Sequence, residues 1–440
     1  GYNLWETDLR TKETKILAPL KSESGGTFEM GPKGEILFIL SGGNLNKITL
    51  ADGKVEGISI KGEMTLDEIA ERAYLAEHIW RQAKKKFYRV DMQGVDWDLY
   101  KKEYFVKLSD INNNYDFAEL MSEMLGELNA SHTGAGYRNP HPNGDQTASL
   151  GIFLDNTHTT DGLKIIEIMK QGPLTKKEGK AKAGHIIEAI DGVKITKDMN
   201  YFPLLNRKAG KNTLLSLFDP KTKTRWEETV KPISGGGERE LLYERWVENC
   251  SRIVEELSNG KLGYVHVRGM NDESFRKVYD DALGKHYAKE GLIVDTRFNG
   301  GGWLHDDLAT FLDGKDYMDF RPRGQNLGSE PQFKWSKPSV VVMSESNYSD
   351  AHMFPVTYRA MGIGKLIGMP VPGTGTAVWW ESLQNGAWFG IPMVGMVDNN
   401  GDYLENQQLE PDVKVALDPA IVITGRDQQL EAAVKELLKD

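Results

Sequence analysis

The chain has 440 residues, 39% hydrophobic and 27% charged, the balance of a globular protein too long for one ordinary core. Three or four domains are expected. A formal net charge of −10 argues against a nucleic-acid partner, and no run of 18 apolar residues is present to span a bilayer.

The chain opens on Gly1 without Met or a signal-peptide pattern, which is expected to be an artificial boundary that leaves targeting unreadable. Residues 1 to about 60 alternate apolar runs with polar turns. Leu4-Trp5-Glu6-Thr7-Asp8-Leu9, Lys15-Ile16-Leu17, Glu35-Ile36-Leu37-Phe38-Ile39-Leu40 and Leu45-Asn46-Lys47-Ile48-Thr49-Leu50 predict short strands in a hairpin rhythm. The segment resembles a single β-propeller blade, the expected remnant (1–62) of a longer propeller.

From Thr65 the period changes to that of helices. Thr65 and Asp67 are expected caps for a helix whose apolar face carries Ile69, Ala70, Ala73, Tyr74, Ala76 and Ile79. Further helices are predicted over 97–108 and from Phe117 to near Ala130, giving a helical domain over 63–146. Its last edge, Asn129-Ala130-Ser131-His132-Thr133-Gly134, is polar and ends on glycine, so His132 is expected on a loop. The basic runs 84–86 and 176–182 read as solvated surface charge.

Residues 147–233 look like a PDZ-type domain. Leu150-Gly151-Ile152 matches the loop that holds a peptide terminus, followed by strands around Gly162-Leu163-Lys164-Ile165 and Ile186-Ile187-Glu188-Ala189-Ile190. Such a domain binds by adding an extended chain to a sheet edge; a vestigial packing module is the plainer alternative. Ser234-Gly235-Gly236-Gly237 reads as a linker. The only cysteine, Cys250, has no disulfide partner, and its amphipathic surroundings predict a buried thiol rather than a nucleophile.

Residues 238–440 alternate buried strands (263–267, 291–295, 339–343) with helices, as in a largely parallel sheet. After the strand Ser339-Val340-Val341-Val342-Met343, the turn Ser344-Glu345-Ser346-Asn347-Tyr348 delivers Ser349 and Asp350 to a helix start. A hydroxyl there sits at the edge where ligands bind in open α/β folds, beside free N–H groups suited to an oxyanion. Position alone does not separate a nucleophile from a helix N-cap. Asp295-Thr296-Arg297-Phe298-Asn299-Gly300-Gly301-Gly302 follows another buried strand; its glycines fit a second oxyanion donor, a phosphate loop or a tight turn. Trp303-Leu304-His305 is not the Gly-Lys-Ser/Thr ending of a phosphate loop. Spacing does not choose a base among His132, His185, His266, His286 and His305, and no His-Glu-x-x-His metal pattern occurs.

Four motifs in order carry a resemblance to the C-terminal half of the tricorn peptidases, relatives of the C-terminal processing peptidases. They are Gly94-Val95-Asp96-Trp97, Gly126-Glu127-Leu128-Asn129-Ala130-Ser131-His132, Asn347-Tyr348-Ser349-Asp350-Ala351, and Leu404-Glu405-Asn406 followed by Glu410-Pro411-Asp412. The resemblance implies a multidomain α/β architecture of propeller remnant, helical domain, PDZ-like domain and crotonase-like catalytic domain with a mostly parallel sheet. It implies Ser349 as nucleophile, His132 as base and Glu405 orienting His132 through Ser131. The oxyanion would rest on the amide of Asp350 and one of Gly300, Gly301 or Gly302. No cofactor or metal, peptide or unfolded-chain substrates, a homo-hexamer and a cytoplasmic setting (with a periplasmic one left open) are implied as well. Gly373-Thr374-Gly375-Thr376-Ala377 lacks the lysine of the processing peptidases' serine–lysine dyad. A non-catalytic peptide-binding module and a crotonase-like thioester enzyme are the competing readings. With His132 as base, the rate is expected to fall as pH drops through the imidazole range near 6.5, and a rate flat from pH 5 to 8 would oppose this base. Asp350 could also receive a basic side chain before the cleaved bond, if its carboxylate faces the cleft.

Overall fold

A computed structural model describes the chain except residues 142, 176–178 and 440, so the basic run at 176–182 lies partly outside the described residues. Two compact units emerge, Gly1–Glu71 and Arg72–Asp440.

In the first unit, β1 (Asn3–Thr7) pairs with β2 (Thr14–Pro19), and β3 (Gly26–Met30), β4 (Ile36–Ser41), β5 (Asn44–Thr49) and β6 (Val55–Ile58) form an antiparallel four-stranded meander. β3 and β6 escaped sequence reading. All five residues of β3 are exposed, so it carries no alternation of buried and exposed side chains. The small core is Ala18, Leu37, Ile39 and Ile48.

Helix α1 (Glu68–Lys86) starts where expected, with the Asp67 carboxylate accepting from the amides of Ile69 and Ala70. Its buried stripe is not the expected one. Ile69 and Tyr74 are exposed, while Arg72, Leu75, Ala76, Ile79, Trp80 and Ala83 are buried. Helix α2 (Trp97–Phe105) continues into a 3₁₀ turn, and α3 (Asn114–Gly126) follows. In the basic run 84–86, Lys84 pairs with Asp98 and Lys86 lies over the Trp379 ring.

These helices do not close a core by themselves. Phe389, Ile391, Ala387 and Leu383 complete it, contributed from more than 250 residues downstream. The connection is a three-stranded antiparallel sheet in which β7 (Gly134–Tyr137) pairs with β21 (Ala387–Gly395), itself paired with β20 (Thr376–Ser382).

A six-stranded antiparallel sheet comes next, in the order β13 (Thr224–Val230), β12 (Thr213–Asp219), β10 (Ile186–Ile190), β9 (Leu163–Ile168), β8 (Ile152–Leu154), with β11 (Val193–Lys194) on β10. β8 is an edge. The expected linker at Ser234 is instead a helix start. The Ser234 hydroxyl accepts from the Gly237 amide and caps α4 (Gly235–Leu257), a 23-residue helix. The cap and the apolar stripe that follows outweigh three glycines at roughly 1 kcal/mol each, because the cost of glycine is largest inside a helix.

The remaining sheet is fully parallel, in the order β14 (Leu262–His266), β15 (Gly291–Asp295), β18 (Ser339–Met343), β19 (Lys365–Gly368), β22 (Val413–Lys414). All residues of β14, β15 and β18 are buried, as expected for strands covered on both faces. Helices α5 (Asp272–Asp280), α6 (His305–Leu312), α7 (Asp350–Ala360), α8 (Pro419–Val422) and α9 (Gln428–Leu437) accompany it, with a short hairpin of β16 (Met318–Asp319) and β17 (Ser329–Glu330). Helix α5 ends at Asp280 and passes into a π-helical turn. Cys250 is buried, as expected, against the α9 side of the sheet, and burial pushes its thiol up to about 12. Among the described residues no helix is long and apolar enough to cross a membrane.

Candidate active site

Ser349 stands between β18 and α7 with φ 57° and ψ −124°, a strained conformation for a residue with a side chain. It caps nothing: its hydroxyl makes no capping hydrogen bond to α7. The turn before it is held by buried Asn347, whose side chain donates to Thr296 Oγ1 at 2.8 Å and to the Ala351 carbonyl. The Ser349 amide donates to Thr374 Oγ1 at 2.8 Å. Such strain at a strand-to-helix turn, fixed from several sides, is how a nucleophilic hydroxyl is presented.

The glycine loop is pinned against this turn. Tyr348 donates its amide to the Asn299 carbonyl, and Asn299, fully buried, accepts the Gly301 amide at 2.8 Å and donates to the Val267 carbonyl. A Cβ on Gly301 would lie 2.6 Å from the Ser349 Cβ, so this position must be glycine for the loop to approach. At the loop's stem, buried Arg297 is paired with Asp295 and Asp427. Removing one partner of such a pair typically costs about 3–5 kcal/mol. Among the described residues the amides of Asp350, Gly300 and Gly302 have no protein acceptor.

The Asp350 side chain faces away from any cleft. It is fully buried, accepts the amides of Leu304 and His305, and meets His305 Nδ1 at 2.5 Å, which raises the His305 pKa. It is closed off from a substrate's basic side chain and ties the starts of α6 and α7 together.

His132 reaches this region through the pairing of β7 with β21, where Gly134 faces Gly390. Its backbone, at φ 64°, donates to the Tyr348 hydroxyl at 2.7 Å, and its ring packs on the Tyr348 ring at 4.8 Å between centroids. Among the described residues the Ser349 hydroxyl and His132 do not share a hydrogen bond; such contacts are often long before substrate binds. On the other side, Ser131 Oγ lies 2.9 Å from His132 Nδ1 and donates to Glu405 Oε2 at 2.9 Å, while the Ser131 amide donates to Glu405 Oε1 at 2.5 Å. Glu405 is buried on a turn whose neighbour Asn406 donates to the Asn129 carbonyl. That turn fits because residues 373 and 375 are glycines. A Cβ at Gly373 would sit 2.2 Å from the Gln407 amide, and one at Gly375 would sit 2.5 Å from the Leu404 Cβ.

Burial pushes the His132 imidazole down to about 4, so the ring is neutral through the physiological range. Burial also raises Glu405, against the opposing bonds from Ser131 and the Gly375 amide. Burial thus holds the ring's protonation below the free imidazole range near 6.5. Of the other histidines, His266 and His286 are buried on backbone carbonyls, of Arg297 and Tyr264 respectively. His185 packs on Trp226, away from this turn. No cluster of His, Cys, Asp and Glu able to hold a metal occurs among the described residues.

Residues 261–415 match Peptidase family S41, and residues 69–126 match the Tricorn protease C1 domain. Tricorn protease homolog 1 of Streptomyces coelicolor is 28% identical over 433 residues, covering 92% of this chain and 40% of the relative. Tricorn protease homolog of Saccharolobus solfataricus is 27% identical over 387 residues, covering 82% and 35%. The crystal structure of the tricorn protease superposes with a TM-score of 0.86 at 20% identity, over 99% of this chain and 43% of that one, a likeness of fold.

The chain thus carries a Peptidase family S41 segment and a Tricorn protease C1 segment, and over most of its length it is similar to the tricorn proteases. It spans less than half the length of the relatives it matches. The S41 match contains Ser349 and Glu405, whereas Ser131 and His132 lie just past the C1 match.

Sequence reading missed three residues of this candidate site: Tyr348, Thr374 and Thr376. Thr376 Oγ1, fully buried, lies 2.9 Å from Ser131 Oγ and 3.0 Å from His132 Nδ1. The signal was present in Gly373-Thr374-Gly375-Thr376, since hydroxyls two residues apart on entry to a strand share a face. The segment was read only for its missing lysine.

Proposed function

We infer that the chain hydrolyses peptide bonds, with Ser349 attacking the carbonyl and His132 taking its proton. Ser131 and Glu405 fix the imidazole and favour the imidazolium as it forms. The observation that carries this reading is the unbroken Glu405–Ser131–His132 chain, ending in a neutral ring packed on Tyr348, the residue before the strained serine. The developing oxyanion is assigned to the Asp350 amide at the α7 N-terminus, with a second donor from Gly300 or Gly302 because the Gly301 amide is engaged by Asn299.

The remaining assignments belong to the same reading. Residues 1–62 are the end of a propeller, supported by the four-stranded meander. Residues 63–146 carry the Ser–His pair, 147–233 form a PDZ-like domain with β8 as its free edge, and 238–440 form the catalytic domain. Peptides or unfolded chains are the proposed substrates. A cytoplasmic homo-hexamer rests on family resemblance and is checked by light scattering and fractionation.

An active-site organophosphonate should label the wild-type chain, with the adduct mapped to Ser349. Ser349→Ala should lose the label and all measurable peptide turnover, about 10⁴-fold or more. Equal labelling of Ser349→Ala removes the nucleophile assignment. Peptides bound without cleavage, even by the chain restored to its relatives' length, would favour the binding-module reading.

A further inference from the structure

Resting on the PDZ-like reading, one feature of the groove beside β8 departs from a site for a free carboxylate. The groove, of about 230 Å³, is lined by Leu150, Ile152, Leu154, Leu163, Phe202 and Leu205, and Glu238 also lines it. Leu150 and Leu205 are buried, Phe202 is half exposed, and β8 is the edge of its sheet with one side unpaired. An extended chain can add there through backbone hydrogen bonds and set alternate side chains on the apolar floor.

At the end of the groove, the loop 149–151 is occupied from within. The Gly151 amide, in the loop expected to hold a terminus, donates to Ser149 Oγ at 3.0 Å, and Ser149 Oγ donates to Glu238 Oε1 at 2.5 Å. Glu238 comes from the first turn of α4, the helix that replaces the expected linker. That helix packs on the loop, with Leu241 Cδ1 3.4 Å from where a Gly151 Cβ would stand. Glu238 is half-buried, its side chain accepts from Ser149, and among the described residues it has no Lys or Arg ion-pair partner. A ligand carboxylate entering here meets a fixed negative charge and finds the Gly151 donor engaged, whereas a cation finds an acceptor without an ion-pair partner.

We propose that this groove rejects carboxyl termini and instead takes an extended, internal peptide segment that presents a Lys or Arg side chain to Glu238. The chain passes through the groove rather than ending in it, so selection acts on a basic side chain within an apolar stretch. The observations that carry the proposal are the charge of Glu238, the engaged Gly151 amide and the open β8 edge.

The test uses the full chain as Ser349→Ala, so that bound peptide stays intact, and a nonapeptide of alternating Val and Thr with one central Lys, capped at both ends. Calorimetric affinity is compared with the Lys→Gln peptide, and with Gln peptides bearing either a free amino or a free carboxyl terminus. A benzophenone version locates the contact by cross-linking. The capped Lys peptide should bind about tenfold more tightly than the capped Gln peptide, and the free-carboxylate form should be the weakest. Glu238→Gln, an isosteric change, should erase the Lys preference and strengthen binding of the free-carboxylate form. An unchanged Lys/Gln ratio in Glu238→Gln overturns the proposal while leaving the groove a peptide site. Tightest binding by either free-terminus peptide overturns it too. If no peptide cross-links to residues 147–205, the PDZ-like reading itself fails.

Discussion

The two halves of the candidate site are built by opposite means. Around Ser349, a buried strand, a six-residue turn and a helix start lie consecutively in the chain, with Asn347 bonding to Ala351 within it and Thr296, Asn299 and Thr374 bracing it from outside. Around His132, almost every restraint is distant: Glu405 is 274 positions away from Ser131, Thr376 is 244 from His132 and Tyr348 is 216. The strained serine turn is thus laid out along one stretch of chain and braced from outside, whereas the imidazole proposed as base is positioned wholly by two sheets and a shared core holding their register. Errors in the second half should degrade catalysis without touching the first.

Breaking the distant half at its end should give the largest effect. Glu405→Gln keeps shape but removes a carboxylate oxygen that accepts from Ser131, and turnover is expected to fall about 10²–10⁴-fold, with phosphonate labelling of Ser349 slowed and the fold retained by circular dichroism. A fall of less than threefold would show that Ser131 and His132 hold their places without it. The near half is probed by Gly301→Ala. Its new methyl would meet the Ser349 Cβ at 2.6 Å on a backbone at φ 97°, and turnover should fall about 10²-fold because the turn must shift.

A smaller effect sharpens the comparison. Thr376→Val removes a hydroxyl shared by Ser131 and His132 while keeping the β-branched shape, and should lower kcat/KM about tenfold. Thr376→Ser should restore much of it if hydrogen bonding rather than packing is the cause. Last, kcat/KM of the wild type should be nearly flat from pH 8 to 5 and fall only as pH drops toward about 4. Burial lowers the pKa of His132, so the neutral base persists to more acid solution than a free imidazole. An acid limb centred near 6.5 would mean that the ring is hydrated in the working enzyme.

Much of the architecture was legible because it rests on short-range regularities. The fully buried runs 291–295 and 339–343 give strands of a parallel sheet, and Asp67 marks the start of α1. Other features were not, and each for a physical reason. The exposed strand β3 has no burial pattern to read, and Ser234-Gly235-Gly236-Gly237 has linker composition yet is a capped helix start. The stripe on α1 is set by which face joins the core shared with α2, α3 and β21, and no local period records that.

By itself, then, the sequence determined the alternation of strand and helix, the turn that exposes Ser349, and a set of polar residues whose order resembles one family. It left five histidines equivalent, because periodicity describes what a segment buries and not what it meets. Only the tertiary structure turned the Asp350 carboxylate inward, put Thr376 between Ser131 and His132, and aimed Glu238 at the groove. Those outcomes follow from the hydrogen bonds of Asp350 to the start of α6, the pairing of β7 with β21, the close approach allowed at Gly373 and Gly375, and the packing of α4 on the loop at Gly151. Each is a contact between segments far apart in the chain, whose free energy belongs to the assembled pair and to neither segment alone.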